Sequence, residues 1–159
     1  MKTFHVSASG LVDAPSDQVY AIIADYRRHH PHIVPPQYFT RLDVLVGGVG
    51  AGTRTRVEMQ VLGKRRVFEQ VVTEPEPGHV LMEANADGSA VSTFTVEASG
   101  DGSSHVTIAT DFPLQPGIQG VLERLAVSRL FPRIYKKELA RLAEYAGRLR
   151  AAPPAGIPR

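Results

Sequence analysis

The chain has 159 residues and a formal net charge of +2 at pH 7, with 43% apolar and 21% charged residues. These values are typical of one globular domain, and the mild charge argues against a nucleic-acid partner. The chain has no cysteine, which excludes disulfides, thiolate nucleophiles and Cys-ligated metal centres. No apolar run approaches the ~18 residues of a membrane helix, and no secretory leader precedes the first patterned segment. We therefore expect a cytoplasmic protein without stable membrane insertion.

The first predicted elements are a strand and a short helix. Apolar and polar residues alternate from Thr3 to Val12, which predicts a half-buried strand. Pro15 and Asp17 then open a helix that is expected to end near Asp25. Residues 26–36 contain three prolines, so this segment is predicted to form one broken helical turn followed by a loop.

Six further strands are predicted between residues 39 and 112. Turn-forming residues, namely glycine, proline and Asp-Gly pairs, lie between these segments at intervals typical of β-hairpins. We therefore expect an antiparallel meander. The glycine run at 47–52 lacks the Lys-Ser/Thr ending of a phosphate loop and is interpreted as a mobile hairpin loop. The predicted strands are Phe39–Val46, Thr53–Leu62, Val67–Glu74, Val80–Asn85, Val91–Ala98 and Val106–Phe112.

A long helix from about Pro116 to Arg150 is the last predicted element. Its apolar residues recur at steps of three and four, and Ile118, Val121, Leu122 and Leu125 are expected to belong to its buried side. Pro132 predicts a kink or a break near Leu130. Residues 1–150 are thus expected to form a single domain, and residues 151–159 a disordered tail.

The order of these elements resembles the SRPBCC (START/Bet v 1-like) superfamily, and most closely its bacterial polyketide cyclase/dehydrase-like proteins. The segments Val12–Pro15, Asp25–Arg27, His30–Pro35, Gly47–Thr53 and Val72–Pro77 carry the resemblance, which covers about Thr3 to Leu149. It implies an α+β helix-grip fold, in which a seven-stranded antiparallel sheet curls around the C-terminal helix. Two short helices are expected between strands 1 and 2. An apolar cavity is expected between sheet and helix.

The resemblance implies that alternate strand residues and the proline-rich loop line this cavity. Glu83 and His30 are the candidate catalytic residues, because a buried carboxylate needs a partner or a role and histidine titrates near neutrality. A register shifted by one residue would instead place Glu83 in solvent. The expected ligand-binding residues are Tyr26, His30, Ile33, Tyr38, Phe39, Thr55, Val57, Met59, Phe68, Gln70, Leu81, Glu83, Phe94, Val96, Ile108, Thr110, Phe112, Leu122 and Leu125.

No metal or other cofactor is expected. His29, His30 and His32 are close in sequence, but only Asp25 lies near enough to complete a ligand set. The basic residues of the last helix are expected mainly to solvate its outer face. Attraction to an anionic membrane or an acyl-carrier partner is the alternative, with Lys136 and Lys137 as its test positions.

Three functions fit the sequence. The first is binding, sequestration or transfer of a hydrophobic small molecule, such as a lipid, an isoprenoid or a polycyclic aromatic compound. The second is a cyclase or dehydratase acting on a poly-ketone, which predicts at least two titratable groups converging in the cavity, whereas a carrier predicts an isolated anchor. The third is an interaction protein with a filled core, in which Phe68, Phe94, Phe112 and Phe131 interdigitate. The sequence leaves the oligomeric state open.

Overall fold

Seven strands and two α-helices make up the fold in the computed structural model, which describes residues 1–152. The helices are α1 (Ser16–Ala24) and α2 (Gly117–Ala151), and a single 3-10 turn spans His30–His32. All strands pair antiparallel in one sheet of order β1-β7-β6-β5-β4-β3-β2. This confirms the predicted fold class, with the second short helix reduced to one turn. The strands are β1 (Thr3–Val12), β2 (Phe39–Val46), β3 (Arg54–Val61), β4 (Lys64–Glu76), β5 (Val80–Asn85), β6 (Val91–Ala98) and β7 (Ser104–Pro113).

Alternate residues of the central strands form the inner face of the sheet. On β3, Thr55, Val57 and Met59 are buried while Arg54 and Arg56 are exposed. The same alternation buries inward residues of β5, β6 and β7, because a strand turns successive side chains to opposite faces. The residues that the resemblance placed inward on these strands are therefore the buried ones, and the alternative register, with Glu83 in solvent, is not observed. Apolar burial on this face, at about 25 cal/mol per Å², stabilises the sheet against α1 and α2.

The two halves of α2 differ in burial. The C-terminal half buries Ile134, Tyr135, Leu139 and Leu142 against the sheet. The N-terminal half exposes Ile118, Val121, Leu122 and Leu125, so the prediction that these four belong to the buried side is wrong. The periodicity identified a real stripe, but Gly120, Val127 and Phe131 lie on a different side of the helix and face the protein instead.

The helix α2 continues through Pro132, so a break near Leu130 is not observed. A proline removes one backbone hydrogen bond, and the packed C-terminal half of this 35-residue helix supplies the compensating contacts. Ala151 is the last helical residue rather than the start of a tail. The rest of the predicted disordered tail, residues 153–159, lies outside the described residues.

The glycine run at 47–52 is anchored, in contrast to the predicted mobile loop. Gly50 donates to the Ala24 carbonyl at 2.9 Å, Gly48 accepts from the Tyr26 amide at 2.8 Å, and the Ala51 amide donates to Glu74 Oε2 at 2.8 Å. Gly50 has a φ of +64°, and a Cβ there would lie 2.5 Å from Glu74 Oε2. The glycines thus allow the loop to pack closely against the end of α1.

Candidate ligand site: a buried polar cluster

Glu83 lies at the centre of the inner face of the sheet. The alternation of β5 turns Leu81 and Glu83 inward together. Glu83 as a whole residue is only 7% exposed. Its Oε1 accepts a hydrogen bond from the Tyr26 hydroxyl at 2.5 Å, and its Oε2 faces Gln70 Nε2 at 3.5 Å. These donors partly replace the water that a buried carboxylate loses.

His30 is held beside Glu83 in one orientation. Its ring stacks on Tyr26 with centroids 4.3 Å apart, and its Nδ1 donates to the Ile23 carbonyl at 2.7 Å. A carbonyl oxygen only accepts, so Nδ1 carries a proton and Nε2 is the nitrogen that can gain or lose one. This Nε2 lies 3.7 Å from Glu83 Oε1, so the imidazole and the carboxyl group face each other in the interior.

Tyr26 completes this group as a hydrogen-bond donor. Desolvation raises the pKa of the Tyr26 phenol well above its usual value, and the neighbouring Glu83 charge and hydrogen bond add to the rise. The neutral phenol is therefore strongly favoured over the phenolate. Tyr26 can hold Glu83 in place by donation but is a poor base.

Glu138 brings a second carboxyl group into the interior from α2. The residue is 4% exposed. Desolvation raises the pKa of Glu138 well above its usual range, and the charge of Glu83 raises it further. Glu138 is therefore biased towards its protonated form, in which it can donate a proton or a hydrogen bond to a bound molecule.

A chain of hydroxyl groups extends the polar cluster along β6 and β7. Ser92 Oγ lies 2.8 Å from Thr110 Oγ1, which also bonds the Tyr135 hydroxyl of α2. Burial raises the pKa of Tyr135, and the charges of Glu138 and Glu83 contribute in the same direction. The hydroxyl chain thus lies within electrostatic reach of both carboxyl groups.

Aromatic rings flank the polar groups. Phe94 meets the edge of His30 with ring centroids 5.8 Å apart, and Phe131 contacts Phe112 and Tyr135 at 4.9 and 5.8 Å. Tyr38, Phe39 and Phe68 belong to the same side of the protein but are only half-buried. The arrangement combines apolar walls with a few converging polar groups, as small-molecule sites commonly do.

Most of the sequence-predicted site residues are brought together on this face. Leu122 and Leu125 are the exceptions: they are 61% and 50% exposed on the outer side of α2, so their predicted place in the cavity is wrong. Tyr38, Phe39, Phe68 and Phe112 are half-buried. The fully buried members are Tyr26, His30, Ile33, Thr55, Val57, Met59, Gln70, Leu81, Glu83, Phe94, Val96, Ile108 and Thr110.

Sequence reasoning missed Glu138, Tyr135 and Ser92. Glu138 is not among the residues predicted for the site. It lies four residues after Ile134 and four before Leu142, so it occupies the buried stripe of α2. An acidic residue in the middle of an apolar stripe was the signal that would have identified it.

Other groups named in the sequence analysis serve elsewhere. His29 bonds the Tyr145 hydroxyl at 2.7 Å, and His32 stacks on the same ring at 5.0 Å. Among residues 1–152, no three His, Asp or Glu side chains are grouped as a metal would require. Depressions of about 610 and 490 Å³ lie on the outer side of β2–β4 and beside α1, and neither includes a member of the buried polar cluster.

The fold is an α+β helix-grip, and a cluster of polar side chains lies in its interior. Several known structures share the helix-grip architecture. KanY protein superposes with a TM-score of 0.80 at 28% identity, covering 92% of this chain and 99% of that one. The Zhui aromatase/cyclase from Streptomyces sp. R1128 gives 0.78 at 17% identity, covering 95% and 98%. A point mutant of norcoclaurine synthase from Thalictrum flavum, in complex with a transition-state analogue, gives 0.69 at 16% identity, covering 95% and 99%.

The chain belongs to the family described as polyketide cyclase/dehydrase and lipid transport, whose profile matches residues 3–147. This family lies in the START/Bet v 1 (SRPBCC) superfamily, which confirms the resemblance found in the sequence. Its members bind hydrophobic small molecules. No protein of curated function is detectably similar in sequence. No helix in residues 1–152 combines the length and hydropathy of a membrane span.

Proposed function

We propose that the protein binds a hydrophobic small molecule with oxygen substituents between the inner face of the sheet and α2. The observation that supports this most strongly is the cluster of Glu83, His30, Gln70 and Glu138 among largely apolar side chains of the interior. Burying such groups costs free energy, and an apolar core of the same shape is usually at least as stable. A ligand that hydrogen-bonds to them recovers part of that cost.

The chemistry of the cluster indicates the kind of ligand. Protonated Glu138 and the Gln70 amide offer donors, and the Glu83 carboxylate offers an acceptor. The rings of Phe94, Phe112 and Phe131 offer aromatic and apolar contact on the same side. A polycyclic aromatic compound or an isoprenoid bearing carbonyl or hydroxyl groups suits both features better than a plain hydrocarbon.

Native mass spectrometry of the purified protein, followed by denaturing extraction, tests the binding. Phe68→Asp places a charge on the half-buried inner face of β4, and Val67→Asp places the same charge on its outer face. We expect a bound apolar molecule that is lost in Phe68→Asp and retained in Val67→Asp. An apo mass together with no thermal shift across lipids, isoprenoids and polycyclic aromatics would contradict the proposal.

A second candidate function is acid–base catalysis of ring closure in a poly-ketone. The convergence of two carboxyl groups and an imidazole favours it over a carrier, for which one isolated anchor suffices. His30 Nε2 or the Glu83 carboxylate would take a proton from a carbon between two carbonyl groups. The resulting enolate carbon would bond to a second carbonyl carbon, and Glu138 would give its proton to the new alkoxide oxygen.

Loss of water would follow by the same groups. Glu138, now a carboxylate, takes the remaining proton from the nucleophilic carbon, and the base protonated in the first step gives its proton to the hydroxyl, which leaves as water. A tethered aromatic tri-ketone is a suitable substrate, with cyclised product followed by absorbance. We expect Glu138→Gln to lower kcat by about 100-fold or more while ligand binding persists, and Glu144→Gln on the exposed side of α2 to change neither. If Glu138→Gln and the natural protein had the same kcat, Glu138 would not be the acid of this mechanism.

A further inference from the structure

The N-terminal half of α2 presents an apolar patch that faces away from the sheet. The patch consists of Ile118, Val121, Leu122 and Leu125, and all four side chains are exposed. They are spaced i, i+3, i+4 and i+7, so they form one narrow stripe of the helix. A contiguous exposed stripe of this kind is a common mark of an interaction surface.

A second apolar group lies at the same end of the molecule. Leu62, at the turn between β3 and β4, is 70% exposed and has a φ of +53°. Leucine is disfavoured both in this left-handed conformation and in water, and Gly63 beside it shows that the turn accepts glycine. Arg66 of this hairpin reaches Glu123 of α2 at 3.9 Å, which places the turn next to the helix.

Basic residues surround both apolar groups. Arg129, Arg133 and Lys136 continue the outer stripe of α2 beyond Leu125, and Lys64 follows the exposed turn. Within residues 1–152, none of these four side chains is in an ion pair. The segments 62–66 and 117–137 together hold eight Lys or Arg residues (Lys64, Arg65, Arg66, Arg124, Arg129, Arg133, Lys136 and Lys137) and the single acid Glu123.

We propose that this end of the molecule docks on an anionic phospholipid surface. The apolar side chains of α2 and Leu62 insert at the level of the headgroups, and the unpaired basic residues contact lipid phosphates. The apolar groups protrude from a helix and a turn tip instead of lining a groove, which suits a deformable bilayer interface. A second copy of the chain would bring two basic faces together, and that repulsion disfavours self-association through this patch.

Vesicle co-sedimentation tests the docking. We expect binding to vesicles of phosphatidylcholine with about 30% phosphatidylglycerol, and much weaker binding to phosphatidylcholine alone or at high salt. Leu122→Ser with Leu125→Ser is expected to weaken binding at least tenfold. The control Leu11→Ser removes an equally exposed leucine, 68% accessible, from β1 and is expected to have no effect.

The double variant Arg129→Gln with Lys136→Gln tests the electrostatic contribution to vesicle binding. Each lost charge is expected to lower the partition coefficient about fivefold, whereas Arg28→Gln with Arg148→Gln at the other end of the molecule leaves it unchanged. Absence of binding to the anionic vesicles would overturn the proposal. It would also be overturned by a concentration-dependent dimer that Leu122→Ser with Leu125→Ser abolishes, because the patch would then be an interface between copies.

Discussion

Replacing Glu138 with glutamine is expected to remove a pH-dependent loss of stability. The pKa of Glu138 is raised in the folded protein, so above its unfolded value the folded state holds a proton that the unfolded state has released. The unfolded state then binds fewer protons, and the free energy of unfolding falls as pH rises. This fall begins above the ordinary glutamate pKa of 4.5 and ends when the pH passes the folded pKa. A glutamine side chain has nearly the same shape as that of glutamate but cannot ionise, so Glu138→Gln should lack this fall.

The size of this fall in the free energy of unfolding follows from proton linkage. One released proton changes the free energy of unfolding by about 1.4 kcal/mol per pH unit. Between about pH 5 and about pH 6, the advantage of Glu138→Gln over the natural protein should therefore grow by on the order of 1 kcal/mol. Urea unfolding followed by circular dichroism at several pH values measures this difference, and other titrating groups largely cancel between the two proteins.

The exposed Glu144 provides the control, because Glu144→Gln should leave the pH profile of the natural protein unchanged. Parallel profiles for Glu138→Gln and the natural protein would refute the reasoning. Such a result would mean that Glu138 ionises in the folded state as readily as in the unfolded chain, and that it is not the buried acid described above.

Three further changes test the structure by urea unfolding. Tyr26→Phe removes the donor to Glu83 and is expected to destabilise the protein by about 1–3 kcal/mol. Leu81→Ala creates a cavity on the inner face and should cost about 2–5 kcal/mol; a loss below about 1 kcal/mol would show that the site collapses or is already open. Gly50→Ala combines backbone strain with a clash against Glu74 and should cost about 1–3 kcal/mol, whereas an unchanged midpoint would mean that the glycine loop is not anchored as described.

The local patterns were sufficient for most of the fold. Period-two alternation and the glycines between segments predicted all seven strands, and the family resemblance implied that Thr55, Gln70, Glu83 and Thr110 face inward, where they are buried. This succeeded because one face of the central strands is buried, so apolar residues recur at alternate positions along them. The family resemblance added the arrangement of the long helix against the sheet.

The sequence by itself thus determined the strands and the existence of a long amphipathic helix, and the family resemblance indicated which strand residues face inward. Only the tertiary structure decided which stripe of α2 is buried, because helical periodicity defines faces without saying which has a partner. That decision moved Leu122 and Leu125 to the surface and buried Glu138 in the interior, where the charge of Glu83 raises its pKa. The pairing of a carboxyl group on β5 with one on α2, more than 50 residues apart, depends on how the helix lies across the sheet, and no local pattern contains that information.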